Sequence, residues 1–380
     1  MDTRIASVIV ILVTGFAVAQ AAAVDDRATL GRLLYFDVNL SKQRTQSCAS
    51  CHVPEAGFVD ARENGVGRAA SVGDDGVSLG DRNTPTASYA SLTPRFAIDA
   101  AGRPIGGLFL DGRAADLAEQ AGGPPLNPLE MGMPDKAAVV QRLQQNPVYV
   151  EAFAQLFGED VWRDVDSAYH AMTQAIAAYE QTDEFSPFDS KYDRYLRGEY
   201  QLTAQEDLGM TLFFSQQFTN CNVCHQLRPR AGMPRETFSN YEYHNIGTPV
   251  NAALRARNGK DAAFVDRGLL DNPGVDEPKH AGKFKVPTLR NVAVTAPYMH
   301  NGVFRDLRTV ILFYNKYNSR SAKRQINPET GENWRAPEVA ENLSLKELRT
   351  GPALDDRRVD ALVAFLKTLT DRRYESLLDD

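Results

Sequence analysis

All four cysteines of this chain sit in two five-residue runs of one form, Cys48-Ala-Ser-Cys51-His52 and Cys221-Asn-Val-Cys224-His225. Cys-x-x-Cys-His is the attachment signature of a c-type haem. The two thiols add to the porphyrin vinyl groups, and the adjacent histidine reaches the iron as proximal ligand. A redox-active Cys-x-x-Cys pair or a zinc site also uses paired cysteines, but neither needs the following histidine twice. Two covalent haem c groups, one per run, therefore constrain the fold before anything else is read.

The 380 residues suffice for two domains, each with its own core. Net charge is −7 with no basic stripe, which argues against nucleic acid as a partner. At the start, Arg4 precedes an apolar run from Ile5 to Val18. Small residues follow at Ala19, Ala21, Ala22 and Ala23, then Asp25 and Asp26. That is the order of a secretory signal peptide. Residues 1–23 are read as a cleaved signal, cut after Ala21 or Ala23, and the mature protein as periplasmic. The run is shorter than the ~20 residues of a spanning helix. No later segment is apolar enough, so no stable membrane insertion is expected. Export would ordinarily pair four cysteines as disulfides, but here the haem spacing claims them.

Each haem run is followed by a similar series of landmarks. After the first come Thr84-Pro85-Thr86, Leu110-Asp111-Gly112 and Asp116-Leu117. After the second come Val286-Pro287-Thr288, His300-Asn301-Gly302 and Asp306-Leu307. Placing Asp111-Gly112 on Asn301-Gly302 aligns Asp116-Leu117 with Asp306-Leu307 without a gap. The halves read as duplicated cytochrome c-like domains.

The helix after each landmark differs. Leu307, Val310, Ile311, Tyr314 and Tyr317 recur at helical spacing and share a face toward the second haem. Tyr314 stands seven residues after Leu307, whereas the residue seven after Leu117 is Pro124. A phenolate ligates iron and a proline side chain cannot. The second haem is expected to be six-coordinate, with His225 and Tyr314; Met299 is the competing ligand, and an ordinary core tyrosine the competing role. The first haem is expected to be open. No histidine lies between His52 and His170 to cap it, and His170 sits in a helical stretch. His244 and His300 are read as neighbours of the second haem or as structural histidines. An open haem needs polar groups to move protons. Gln120 matches Val310 and faces the first haem. Glu130 follows the loop GGPPLNPLE, which folds back over that pocket or leaves it as a solvated loop carboxylate.

The motifs RNTPT, DGR, LNPLEM, EFSPFDSKYDR, KVPTLRNVAVTAPYMHNG and VDALVAFLKTL resemble the bacterial di-haem cytochrome c peroxidase superfamily over nearly the whole mature chain. Within it, SVGDDG, FSNYEYHNIG, NGVFRDL, FYNKYNSR and INPETG resemble the MauG-like enzymes. The resemblance implies a reaction. Such enzymes complete tryptophan tryptophylquinone in the small subunit of methylamine dehydrogenase, oxidising two tryptophans of the precursor with hydrogen peroxide, or with oxygen plus electrons from a small donor protein. It implies catalytic roles for Gln120, Pro124, Glu130 and Tyr314, at the positions these enzymes use. It also implies a calcium ion between the haems, with Asn83 as side-chain ligand and backbone carbonyls near Asp276 and Pro278. Two positions depart from the pattern. Relatives carry tryptophan where this chain has Leu110 and, before the second haem run, where it has Thr219 beside Phe218; a three-residue insertion lies near the latter. The chain's tryptophans are Trp162 and Trp334, so electron transfer must use other groups, with Phe109, Phe218 and nearby tyrosines as candidates, or direct tunnelling.

The expectation is a mostly α protein of two cytochrome c-like domains: 24–182 with the open, high-spin haem, and 183–380 with the six-coordinate haem. The stretch 183–200 is the crossover, and the domains meet near Asn83 and the 270–290 segment. An apolar stripe at Val359, Leu362, Val363, Leu366 and Leu369 makes Asp356–Leu369 the closing helix. The rival functions are a cytochrome c peroxidase, favoured by methionine at the second haem, and an electron carrier, which would have both irons capped.

Overall fold

The computed structural model describes residues 24–378 apart from Ala262, so the expected signal segment lies outside the described residues. The described chain is mostly helical, in this order: α1 Arg27–Tyr35, α2 Cys48–Cys51, α3 Leu117–Ala121, α4 Lys136–Gln144, α5 Pro147–Phe157, α6 Val165–Glu180, α7 Lys191–Leu196, α8 Ala204–Phe214, α9 Cys221–Cys224, α10 Ala252–Arg257, α11 Leu307–Asn315, α12 Leu345–Leu348 and α13 Asp356–Lys367. Two antiparallel ribbons interrupt them, β1 Ala97–Ile98 with β2 Pro104–Ile105, and β3 Tyr243–His244 with β4 Phe284–Lys285.

Side-chain carboxylates and hydroxyls start the long helices. Asp26, Asp164, Thr203, Asp306 and Asp355 each accept a bond from a backbone N–H of the first turn, satisfying donors that helix geometry leaves unpaired. The apolar faces these helices present form two cores. One holds Leu30, Leu34, Phe153, Met172, Ala175 and Phe185. The other holds Tyr192, Phe213, Phe238, Leu362, Phe365 and Leu369. The change of core falls between Phe185 and Tyr192, inside the expected crossover. The closing helix stops at Lys367, two residues short of the expected Leu369. There the Thr368 hydroxyl turns back onto the Phe365 carbonyl at 2.6 Å, while Leu369 still points inward.

The same construction is used twice. In one half α1 crosses α6 with Gly31 against the Ala175 carbonyl; in the other α8 crosses α13 with Gly209 against the Ala361 carbonyl. A methyl group on either glycine would overlap that carbonyl oxygen. The turn before α3 is closed by a bridge between Leu108 and Ala114, and the turn before α11 by one between Tyr298 and Phe304. Asp116 and Asp306 then cap the two helices. These pairs follow the register read from the sequence.

The halves are joined by charge and by backbone. Arg82 donates to Asp111 at 2.6 Å and to Asp266 of the other half at 2.7 Å. The Asn83 N–H donates to the His300 carbonyl at 2.7 Å, Lys285 N–H to Leu110 O at 3.0 Å, and Asn272 Nδ2 to Asp111 O at 3.1 Å. Behind them, Arg290 is fully buried, ion-paired with Asp193 and packed against the rings of Tyr89, Phe188 and Phe238. Tyr89 reaches Asp371 with a 2.6 Å hydrogen bond. The two sites are therefore held in one fixed relation.

The glycine crossings give a stability test. Gly209→Ala must push α8 off α13, and overpacking of this kind costs about 1–3 kcal/mol. Urea unfolding of the haem-loaded protein should show that loss; an unchanged midpoint would mean the crossing is not tight.

Candidate haem sites

Each Cys-x-x-Cys is a single helical turn, α2 or α9, which brings its two sulfurs to one side. Neither pair forms a disulfide. Burial pushes the thiols up, Cys51 to about 11 and Cys224 to about 12, so they stay protonated until they react. The following histidine ends the turn, its N–H bonded to the first cysteine's carbonyl at 2.9 Å in both runs.

The imidazoles are held in the same way. His52 Nδ1 lies 3.2 Å from Phe58 O, and His225 Nδ1 lies 3.0 Å from Phe238 O. Both phenylalanines have φ of 57°, a left-handed conformation that turns the carbonyl toward the ring. Thr86 and Thr288 fix the preceding carbonyls at 2.6 and 2.7 Å, on Gly57 and Thr237. Burial lowers the pKa of His52, and that of His225 to about 4, so both rings are neutral. With Nδ1–H donated to a carbonyl, Nε2 keeps its lone pair for a metal. Paired thiols, a neutral histidine and an oriented ring fit covalent haem at both places.

The opposite sides differ. α11 continues past Tyr314. Its side chain is half-buried, and the phenol lies close enough to Cys224 and Cys221 for their charge to act on it; desolvation and that charge both hold the proton on in the absence of a metal. Iron held there would reverse the balance, because coordination deprotonates its ligand. Met299 sits in the turn before α11 with φ of 71°. α3 starts as α11 does but ends after Ala121. Gly122, Gly123 and two prolines follow, and Pro124 opens a short 3₁₀ turn. Proline cannot continue the helix because it lacks the N–H.

Glu130 returns to this side of the first haem run. Its charge acts on both Cys48 and Cys51. Asn127 Nδ2 donates to its carboxylate at 2.9 Å, and its backbone carbonyl accepts from Asp74 N at 2.7 Å. Burial raises its pKa while Arg113 opposes the rise. Gln120 lies half-buried in the last turn of α3. Phe109 lies under the Arg113 guanidinium, 3.7 Å from the ring centre.

Other expected residues fall elsewhere. His170 is exposed on α6 and contacts Gln174 at 2.8 Å. His300 stacks on Phe284, ring centres 3.6 Å apart, and His244 Nδ1 lies 3.3 Å from Ser344 Oγ. Asn83 is held against His300 at the junction of the halves, whereas Asp276 and Pro278 are exposed, with the Pro278 carbonyl taken by Asn342 at 3.0 Å. Thr219 is 4% exposed, its hydroxyl tied to Leu212 O at 2.6 Å, while Phe218 beside it is 41% exposed.

Several residues near the sites were not anticipated. Glu180 is buried at the end of α6, with one carboxylate oxygen unpartnered; burial alone raises it to about 8, and its charge acts on Cys48 and Tyr35. A glutamate four residues after buried Ile176 was the available signal. Arg62 places its guanidinium 3.3 Å from Cys51 Sγ and pairs with Asp60. Lys285 is half-buried between the halves, its ammonium on the Gly107 carbonyl and its pKa lowered to about 7 by desolvation.

The family model described as di-haem cytochrome c peroxidase matches residues 25–201. The chain is 58% identical to the methylamine utilization protein MauG of Paracoccus denitrificans over 362 residues, 95% of this chain and 93% of that one. It is 34% identical to the cytochrome c peroxidase Ccp of Escherichia coli, over 73% of this chain and 50% of the relative. The crystal structure of the diheme peroxidase BthA from Burkholderia thailandensis superposes with a TM-score of 0.80 at 37% identity, covering 92% of this chain and 86% of that chain. The chain, a two-haem-c oxidoreductase, belongs to the di-haem cytochrome c peroxidase family, on its MauG side.

Proposed function

We propose that this protein completes tryptophan tryptophylquinone in precursor methylamine dehydrogenase, using hydrogen peroxide, or oxygen plus electrons from a small donor protein, in the periplasm. The observation that carries the reading is the difference between α3 and α11. One half breaks at Pro124 and leaves its haem face free; the other runs on to Tyr314, whose phenolate favours the higher oxidation states of iron. A pair built that way stores oxidising equivalents rather than passing reducing ones to peroxide.

When bound, the haems supply the site for peroxide and the capacity to be oxidised. The chain supplies the rest. His52 and His225 offer neutral Nε2 atoms because Phe58 and Phe238 carbonyls hold their Nδ1–H groups. Pro124 presents no donor atom. Glu130, oriented by Asn127, is placed to take the proton of an incoming peroxide and return it to the leaving oxygen, with Gln120 as the adjacent polar group. Tyr314 would hold the second iron opposite His225 through its phenol oxygen. A calcium ion bound through Asn83 at the junction belongs to the same reading, and metal analysis of chelator-treated protein checks it.

Mixing the di-haem protein with precursor methylamine dehydrogenase and peroxide should generate quinone absorbance. Rapid peroxide consumption with a reduced small cytochrome and no quinone would instead mark a cytochrome c peroxidase. Tyr314→Phe should keep both haems attached and abolish quinone formation. Glu130→Gln keeps the bond from Asn127 but cannot accept a proton. General acid–base catalysis contributes roughly 10²–10⁴-fold, so stopped-flow absorbance should show a loss of that order in the peroxide reaction. Because burial raises the Glu130 pKa, the wild-type rate should fall as the pH drops through that raised value and the base is protonated. The variant should lack this limb.

A further inference from the structure

Resting on the reading above, we propose that Trp334 is the point at which electrons from the protein substrate enter the enzyme, on a path through Phe313 to Tyr314 and the second haem. A tryptophan inside a folded substrate protein cannot reach a haem enclosed by this chain. Its electrons must cross the enzyme, and tryptophan and tyrosine are the side chains that give up an electron most readily. The chain has two tryptophans. Trp162 stacks on Phe153 at 4.8 Å against the core of the first half, and Tyr314 lies in the other half.

Trp334 is placed differently. Its ring centre lies 5.5 Å from that of Phe313, and Phe313 lies 6.1 Å from Tyr314. One fully buried ring thus separates Trp334 from the residue that faces the second haem. Phe304 buttresses the ladder, 5.6 Å from Trp334 and 5.1 Å from Phe313. The outer edge of Trp334 is partly exposed, beside the surface turn closed by the bridge between Ile326 and Asn333. Its Nε1–H donates to the Arg324 carbonyl at 2.9 Å, which stabilises positive charge on the indole. The Lys316 ammonium stands 3.8 Å from the Phe313 ring centre but 5.8 Å from that of Trp334. Its charge opposes a positive hole most strongly on Phe313, so the hole rests on the indole. The Thr219 position offers no such exit, since that residue is buried and carries no ring.

The electrons balance. Hydrogen peroxide takes two electrons and two protons and becomes two waters. Each electron is drawn singly from Trp334, which becomes a radical cation and is refilled by one electron from a substrate tryptophan docked at this face. Without substrate, Trp334 gives up two electrons and adds one water, and two protons leave from the residue and the water together, giving hydroxytryptophan.

The test uses the holoenzyme and stoichiometric peroxide without protein substrate. Peptide mass spectrometry should find one added oxygen on Trp334. Stopped-flow absorbance should show Trp334→Phe forming the oxidised di-haem state at the wild-type rate but losing it several-fold more slowly. Trp334→Tyr, which restores an oxidisable ring, should recover the faster decay, and Trp162→Phe should leave it unchanged. With precursor methylamine dehydrogenase present, Trp334→Phe should slow quinone formation without slowing the peroxide step. Wild-type oxidation elsewhere, with Trp334 unmodified and Trp334→Phe decaying as wild type, overturns the relay and leaves the proposed function standing. Failure of the wild type to form an oxidised state that the precursor discharges overturns the proposed function instead.

Discussion

The structure depends on the hydrogen bond between the proximal histidine's Nδ1 and a phenylalanine carbonyl, made once in each half. A five-residue run that bonds a porphyrin by two thiols still leaves its histidine ring free to turn. The Phe58 and Phe238 carbonyls remove that freedom, and they face the rings because each residue adopts a left-handed φ. Thr86 and Thr288 hold the strand that makes the turn. Around this kernel the chain packs one helix pair per half, with a glycine where backbones touch. The energetics favour a rigid frame: Arg290 is buried with Asp193, and removing one partner of such a pair costs about 3–5 kcal/mol.

On that common frame, chemistry is divided by one local change. Asp116 and Asp306 cap equivalent helices, and only one helix continues. Where α11 carries the proposed ligand Tyr314, two glycines and two prolines end α3 and start a loop that brings Glu130 toward Cys48 and Cys51. Between the sites, buried Asp111 and Asp266 meet half-buried Arg82, with half-buried Lys285 beside them at the junction.

The haem runs, the duplication and the contrast of Pro124 with Tyr314 were legible in the sequence, because each is a fixed spacing along one chain. The bridges at Leu108–Ala114 and Tyr298–Phe304 show the alignment in three dimensions. Glu180 was not legible as a site residue, since its proximity to Cys48 exists only after α6 crosses α1. Nor was the pairing of Arg82 with Asp266, 184 positions apart. Thr219 read as a missing surface tryptophan, yet it is buried, because the chain before α9 turns its hydroxyl onto Leu212. Trp334 read only as a tryptophan elsewhere; its approach to Tyr314 needs the 326–335 segment folded over α11.

The central claim is that two like haem attachments differ in their sixth ligand. Electron paramagnetic resonance of the ferric protein tests it directly. The account predicts one high-spin signal, from the haem at Cys48–His52, and one low-spin signal, from the haem held by His225 and Tyr314. Two low-spin signals would contradict it.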